Sequence, residues 1–191
     1  MGLTGIYPGS FNPPTSAHIE ISEAARETHQ LKKVVWSISR ISLTKENVTI
    51  PVFEDRILVL QEVASNIAWL DIQVTDKQLL ADIAKGYDVL IMGADKWHQI
   101  HDPKFYSDDL QKRDDAINSL PKVAVAPRSS LEVPSEIALK VPETVTNVSS
   151  SMARNGQTSM MLPEALSFDE KTGAWTDQNR YHGWSANRLP N

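Results

Sequence analysis

Two stretches of the chain combine residue types suited to phosphate chemistry. The first is Gly9-Ser10-Phe11-Asn12-Pro13-Pro14-Thr15-Ser16-Ala17-His18, which follows the apolar run Leu3 to Tyr7 and precedes an amphipathic pattern from Ser16 to His29. That order reads as strand, turn and helix. Gly9 lets the backbone come close to a ligand, and Pro13 and Pro14 stiffen the approach. The new helix offers free N–H groups and a positive dipole end to an anion, with His18 in its first turn facing the same mouth. The second stretch runs from Val148 to Arg154. Ser149, Ser150 and Ser151 supply hydroxyls and backbone N–H groups at a predicted helix start, and Arg154 adds a cationic fork that matches phosphate oxygens. The first loop is neither a Walker A loop, because no Gly-Lys-Ser/Thr follows, nor a dinucleotide fingerprint, because the second and third glycines are missing.

The elements that must position these residues follow from hydrophobic periodicity. Ala17, Ile21, Ala24 and Ala25 recur at helical spacing, with Glu20, Glu23 and Glu27 on the other side. Lys33 to Ile38 reads as a second strand, followed by a polar loop from Ser39 to Asn47 that carries Arg40 and Lys45. Pro51 opens a second helix with Phe53, Ile57, Leu60 and Ala64 on one stripe. A third strand is expected at Ala68 to Val74, and Thr75 would cap a short helix, Asp76 to Lys85, ended by Gly86. Asp88-Val89-Leu90-Ile91-Met92 suits a strand covered on both faces and stops at Gly93-Ala94-Asp95. The segment Lys96 to Ser119 is polar and helical in parts. Lys122 to Ala126 forms a fifth strand ending at Pro127-Arg128, and Ile137 to Val141 forms a short sixth.

This alternation predicts a Rossmann-like, doubly wound α/β fold: a parallel sheet of five or six strands with helices on both faces and right-handed crossovers. Ligands bind such sheets at the carboxyl ends of the strands, near the switch in strand order. Gly9, Gly93, Arg128 and Ser149 all follow predicted strands and therefore belong to one edge. Residues 1–166 are expected to form this domain. Residues 167–191, with Trp175 and Trp184, form a tail that packs on the body or on another copy of the chain, which allows a homo-oligomer.

Composition narrows the class. The chain has 191 residues, 41% hydrophobic and 23% charged, enough for one sizeable core and not for two full domains. A formal charge of −5 argues against nucleic acid as partner, so anionic substrates must be met by a local cationic cluster. The absence of cysteine excludes disulfides, thiolate metal sites and a cysteine nucleophile. The N-terminus lacks a basic flank with a long apolar segment and no run approaches a membrane span, which predicts a cytoplasmic enzyme without membrane association. Asn47-Val48-Thr49 and Asn147-Val148-Ser149 fit the glycosylation pattern, but without a secretion signal they are most simply chance.

Paired, the two stretches resemble the nucleotidylyltransferase superfamily. Its motifs read roughly Gly-x-Phe-x-Pro-x-His/Thr-x-Gly-His and Ile-Ser-Ser-Thr/Ser-x-x-Arg/Lys. The likeness covers most of residues 3 to 165, including Leu162-Pro163-Glu164. Ile6 to Phe11 with Thr15 looks like phosphopantetheine adenylyltransferase. Asn12-Pro13-Pro14, Asp55-Arg56, Met92-Gly93-Ala94-Asp95 with Trp97, and Val125-Ala126-Pro127-Arg128 look like nicotinate or nicotinamide mononucleotide adenylyltransferase, which takes the greater weight. Two positions depart from the pattern: Ala17 stands where the family usually has glycine, and Thr15 replaces the first histidine of many members.

The resemblance implies that an acceptor phosphate attacks the α-phosphorus of ATP and pyrophosphate leaves, with ATP as co-substrate and Mg2+ bridging phosphate oxygens. His18 would donate to the α-phosphate, and Ser150, Ser151 and Arg154 would hold the β- and γ-phosphates. Lys45 would reach the reacting phosphates, with Arg40 an equally good choice. Gly9, Ser10, Phe11, Thr15, Gly93, Asp95, Arg128 and Ser149 would complete the ATP site, with Asp95 accepting from a ribose or base edge. Asn12 and Trp97 would meet the acceptor, Trp97 by stacking on its ring. A cytidylyltransferase is disfavoured by the serine motif, and a nucleotide-binding regulatory protein that lost the chemistry is disfavoured by the retained His18 and Arg154. His98 and His101 stand at i, i+3 spacing, but no third ligand is fixed, so they read as an exposed helical turn. Asp108, Asp109, Asp114 and Asp115, interleaved with Lys112 and Arg113, read as a solvated helix surface with Asp108 near its cap.

Overall fold

The computed structural model describes residues 2–41, 50–128 and 131–188. Its centre is a five-stranded parallel sheet of β1 (Thr4–Pro8), β2 (Lys33–Ser39), β3 (Leu70–Thr75), β4 (Val89–Gly93) and β5 (Lys122–Ala126), in the order β3-β2-β1-β4-β5. The register runs from Thr4 beside Lys33 to Pro8 beside Ser37 across β1 and β2, and from Val89 beside Lys122 to Gly93 beside Ala126 across β4 and β5. Strand order reverses between β1 and β4, so a crevice opens where Gly9 and Gly93 leave the sheet. The helices are α1 (Ser16–His29), α2 (Phe53–Ser65), α3 (Leu80–Ala84), α4 (Ala94–Ile100), α5 (Leu110–Asn118), α6 (Glu143–Thr146), α7 (Ser150–Arg154), α8 (Pro163–Thr172) and α9 (Gln178–Ala186). Two 3-10 turns, Pro103–Tyr106 and Thr158–Met160, lie between them.

The period of two along each strand divides the core into two layers. Tyr7, Val34, Trp36, Ile38, Val89, Ile91 and Ala124 pack with Ala17, Ile21 and Ala25 of α1 and Leu60 and Val63 of α2. Ile6, Leu90, Met92 and Val125 pack on the other side with Ile83 and Ala84 of α3 and Ala94 and Ile100 of α4. Both faces of the sheet are covered, which is why β4 reads as an unbroken apolar run.

Several elements differ from the sequence expectation for local reasons. Ile137 to Val141 is not a sixth strand; it makes one parallel bridge, Ala138 beside Val125. Pro134 opens a turn in which its carbonyl accepts from the N–H groups of Ile137 and Ala138, both at 3.1 Å, and Pro142 ends the extended run. Thr75 remains in β3 and its hydroxyl accepts from Lys77 N–H at 3.2 Å, so the following helix starts only at Leu80. Asp109 caps α5, accepting from Lys112 N–H at 3.1 Å, and Asp108 stands next to that cap as expected. In α2 the buried positions are Asp55, Arg56, Val59, Leu60 and Val63, wider than the single stripe expected. The width has a cause: α2 lies between the sheet and a third cluster built from Val59, Ala153, Ala165, Trp175 and Tyr181. Among the described residues no helix is long and apolar enough to cross a membrane.

Candidate active site

The crevice at the strand-order switch is a cavity of about 710 Å3. Ligand sites usually span about 300–1,000 Å3, and this cavity falls within that range. The loop after β1 forms its floor. Gly9 N–H donates to the Ser37 carbonyl at 3.0 Å. A Cβ at Gly9 would lie 3.0 Å from the Phe11 ring, tight enough that the ring would have to shift, so glycine is favoured there by the aromatic side chain beside it. Phe11 is only 1% exposed and does not line the cavity. Its φ of 45° is a left-handed conformation that costs a residue with a side chain roughly 1–2 kcal/mol. Aromatic packing offsets that cost: Phe11 stacks on Trp36 at 4.7 Å between centroids and touches the His18 ring at 5.0 Å and Tyr7 edge-on at 5.7 Å. Trp36 Nε1 donates to Ser22 Oγ at 2.8 Å, and Ser22 Oγ donates to the His18 carbonyl at 2.7 Å, so β2 fixes the first turn of α1.

His18 is held in one protonation state. Its Nδ1 lies 2.9 Å from Thr15 N–H, a group that can only donate, so Nδ1 accepts and the ring proton resides on Nε2. Thr15 is the N-cap of α1, which makes His18 the residue that reaches back to satisfy the cap amide. Burial lowers the imidazole pKa to about 4, and the Arg128 guanidinium acts in the same direction. The ring therefore stays neutral near pH 7 and keeps Nε2–H as its one donor. Ala17, in place of the family's usual glycine, is 5% exposed and packs into the core beside the cavity, so its methyl group is accommodated.

The serine motif closes onto the same loop. Ser149 caps α7, its Oγ accepting from Met152 N–H at 3.2 Å. Ser150 Oγ donates to the Pro13 carbonyl at 2.7 Å, so its single hydroxyl proton joins the two motifs. The Ser150 and Ser151 amides are the ones a helix start cannot satisfy internally. Arg154 donates from Nη1 to the Asn12 carbonyl and from Nη2 to Ser151 Oγ at 3.2 Å. Asn12 is 3% exposed and its Oδ1 accepts from Trp175 Nε1 at 2.6 Å.

Of the residues singled out in the sequence, Gly9, Ser10, Asn12, Thr15, His18, Gly93, Asp95, Arg128 and Ser149 to Ser151 with Arg154 line this one cavity. Asp95 and Arg128 face each other as an ion pair at 3.2 Å. Arg40 also lines it, in a loose pair with Asp76 at 3.6 Å and over the Phe53 ring. Trp97 is not brought in: it packs edge-on against His101 and borders a separate depression with His98 and Val133. The aromatic side chains at that end of the cavity are Phe105 and Tyr106, from the 3-10 turn. His98 and His101 bond to the carbonyls of Glu132 and Trp97 at 2.8 and 2.7 Å. Lys45 lies outside the described residues, as does Asn47-Val48-Thr49.

The sequence analysis placed Trp175 in a tail packing on the body without a part in the site, and passed over Tyr181. Tyr181 OH accepts from Val52 N–H at 2.9 Å and donates to Asp55 Oδ2 at 2.6 Å, while Arg188 pairs with the other Asp55 oxygen. Burial, then the bond to Asp55, pushes the phenol pKa up to about 12. Paired aromatic residues in an otherwise polar tail were the available signal.

A parallel sheet with phosphate-directed donors gathered at its switch point defines a nucleotide-handling α/β protein. The family model described as cytidylyltransferase-like matches residues 6–156, and the chain belongs to that family. It is a nucleotidyltransferase enzyme. Compared with the curated proteins, the chain finds no match. Among solved structures it is similar to Plasmodium falciparum nicotinic acid mononucleotide adenylyltransferase, in complexes with NaAD and with APC. Each superposes with a TM-score of 0.60 at 15% identity, over 90% of this chain and 96% of that one.

Proposed function

We propose that the enzyme moves AMP from ATP to the phosphate of nicotinate or nicotinamide mononucleotide and releases pyrophosphate. The observation that carries this reading is the pairing of His18 and Arg154 in one cavity, through a loop that α7 grips at Asn12 and Pro13. An ionised oxygen of the acceptor phosphate supplies the electron pair for a new bond to the α-phosphorus. The bond from that phosphorus to the bridging oxygen breaks in line, and its electrons leave with pyrophosphate. No proton is abstracted and no covalent enzyme intermediate forms, so catalysis is alignment plus neutralisation of charge on the phosphoryl oxygens. His18 Nε2–H is the fixed donor to the α-phosphate, and Arg154 with the α7 amides binds the departing pyrophosphate.

Among the described residues no group of three His, Cys, Asp or Glu could hold a metal ion. Mg2+ binds few carboxylates and fills its shell with phosphates and water, so in this reading it would be held by the ATP phosphates. When bound it neutralises phosphate charge. Asp95 suits a ribose hydroxyl, and Phe105 or Tyr106, lining the cavity where Trp97 does not, suits the pyridine ring. The Plasmodium enzyme's complex with NaAD supports this acceptor class.

The test is pyrophosphate release with Mg2+ and ATP or CTP, offered nicotinate mononucleotide, nicotinamide mononucleotide or phosphopantetheine. Turnover with ATP and a pyridine mononucleotide is expected. Turnover with phosphopantetheine alone moves the assignment to that enzyme, the direction in which Thr15 points. A preference for CTP overturns the adenylyl donor. ATP binding without pyrophosphate release under any condition leaves a regulatory protein.

A further inference from the structure

Among the described residues, three buried polar atoms lack a hydrogen-bond partner: Arg26 Nε, Ser37 Oγ and Arg56 Nε. Two of the three residues, Ser37 and Arg56, line the cavity just described. Buried polar groups are nearly always satisfied, so two orphans on one cavity point to a ligand. They also share a location. Ser37 binds Gly9 through its carbonyl, and Arg56 Nη1 reaches the carbonyl of the next residue, Ser10, at a long 3.4 Å.

Arg56 is unusual in its charge. It is 7% exposed, and no carboxylate among the described residues pairs with it; its neighbour Asp55 is already committed to Tyr181 and Arg188. Its other contact is the Phe53 ring, 5.3 Å from the guanidinium carbon. Burial lowers its pKa, and the Glu54 carboxylate and Tyr181 oppose that shift only in part, the mark of a cation whose desolvation is not fully compensated. The first turn of α2, which carries it, is fixed by the Tyr181 bonds to Val52 and Asp55, so the guanidinium is preorganised.

Two arginines thus grip one loop from different elements: Arg154 of α7 at Asn12, and Arg56 of α2 at Ser10. In-line displacement places an incoming phosphate and an outgoing pyrophosphate on opposite sides of the α-phosphorus. Each needs its own cation. We propose that Arg56 is the binding residue for the phosphate monoester of the acceptor, with Ser37 beside it, while Arg154 serves the pyrophosphate. This rests on the adenylyl-transfer reading above.

Arg56→Gln and Arg56→Lys are compared with the wild type in two measurements: steady-state pyrophosphate release, and calorimetric binding of the pyridine mononucleotide without ATP. The glutamine variant should bind the mononucleotide about 10- to 100-fold more weakly, the worth of a charge-assisted contact, with KM for ATP within about twofold of wild type. Lysine, keeping the charge without the fork, should recover part of the loss. Unchanged mononucleotide affinity in both variants, or a loss that falls on ATP instead, overturns the assignment. If Arg56→Gln does not fold, Arg56→Lys carries the comparison, and its partial loss is then the supporting result. Should the wild type bind the mononucleotide yet release no pyrophosphate, adenylyl transfer fails while the binding series still decides on Arg56. If the wild type binds no mononucleotide, both fall.

Discussion

Acidification should destabilise this protein through His18 by about 3 kcal/mol. The folded imidazole titrates at about 4 against an ordinary value of 6.5, because burial and then Arg128 disfavour the cation. Between those values the unfolded chain binds the proton and the folded one does not, so stability falls as pH falls. Each tenfold difference in proton affinity between the two states is worth about 1.4 kcal/mol. The effect therefore begins near pH 6.5, reaches about 2 kcal/mol at pH 5 and levels at about 3 kcal/mol below pH 4. His18→Asn supplies the control. Its Oδ1 can still accept from Thr15 N–H, as residues reaching back to a cap amide do, but it carries no titrating proton. Urea unfolding of both proteins at intervals from pH 7 to pH 4 gives the difference directly, since the other titrating groups cancel. The wild type should lose about 3 kcal/mol more than the variant over the full range. Parallel curves, or an NMR titration of His18 near 6.5, would refute the burial argument. The same variant lacks the Nε2 donor and should lose about 100- to 1,000-fold in kcat, the usual cost of removing one preorganised donor.

Four further outcomes follow from single contacts. Gly9→Ala forces a methyl group against the Phe11 ring at 3.0 Å and should cost roughly 1–3 kcal/mol with a lowered kcat, measured by thermal melting and turnover. Trp175→Phe removes the donor to Asn12 Oδ1 and should cost about 1–3 kcal/mol, with a fall in kcat because Asn12 also carries the Arg154 contact. Tyr181→Phe leaves Val52 N–H and one Asp55 oxygen without their partner and should cost about 1–3 kcal/mol in urea unfolding. Tyr106→Ala should raise KM for the pyridine mononucleotide at least about fivefold, a modest stacking contribution, whereas Trp97→Ala should leave it within about twofold.

The sheet and its order were legible because their signals are local. Alternating apolar runs gave each strand, and parallel crossovers left few topologies. The loop from Gly9 to His18 was legible for a similar reason, since glycine, proline and a helix start occupy consecutive positions. The expected sixth strand failed on Pro134 and Pro142, whose turn chemistry overrode the β-branched run between them. Trp97 was misleading because an aromatic residue four after Gly93 lies on α4, and the direction its side chain takes depends on how that helix packs against the neighbouring loop at Glu132. Arg56 was visible as part of a family-like dipeptide, but its burial was not. The turn that carries it is held through Val52 and Asp55 by Tyr181 and Arg188, more than a hundred residues away in sequence, and no periodicity within α2 reports a partner that arrives from the tail.

Those distant partners bear on how the tail can be treated. Asp55 is fully buried, and both of its oxygens are satisfied from residues 181 and 188. Losing the partners of a buried charge typically costs about 3–5 kcal/mol, and domains of this size are held by about 5–15 kcal/mol in all. Removal of residues 174–188 would also take away Trp175 and Tyr181, both buried against Val59 of α2 and Ala153 of α7. A truncated chain would therefore lose its fold along with its activity, and would say nothing about the site. Conservative changes at Trp175 and Tyr181 are the informative ones, because they loosen one arm of the loop at a time while the aromatic packing stays in place.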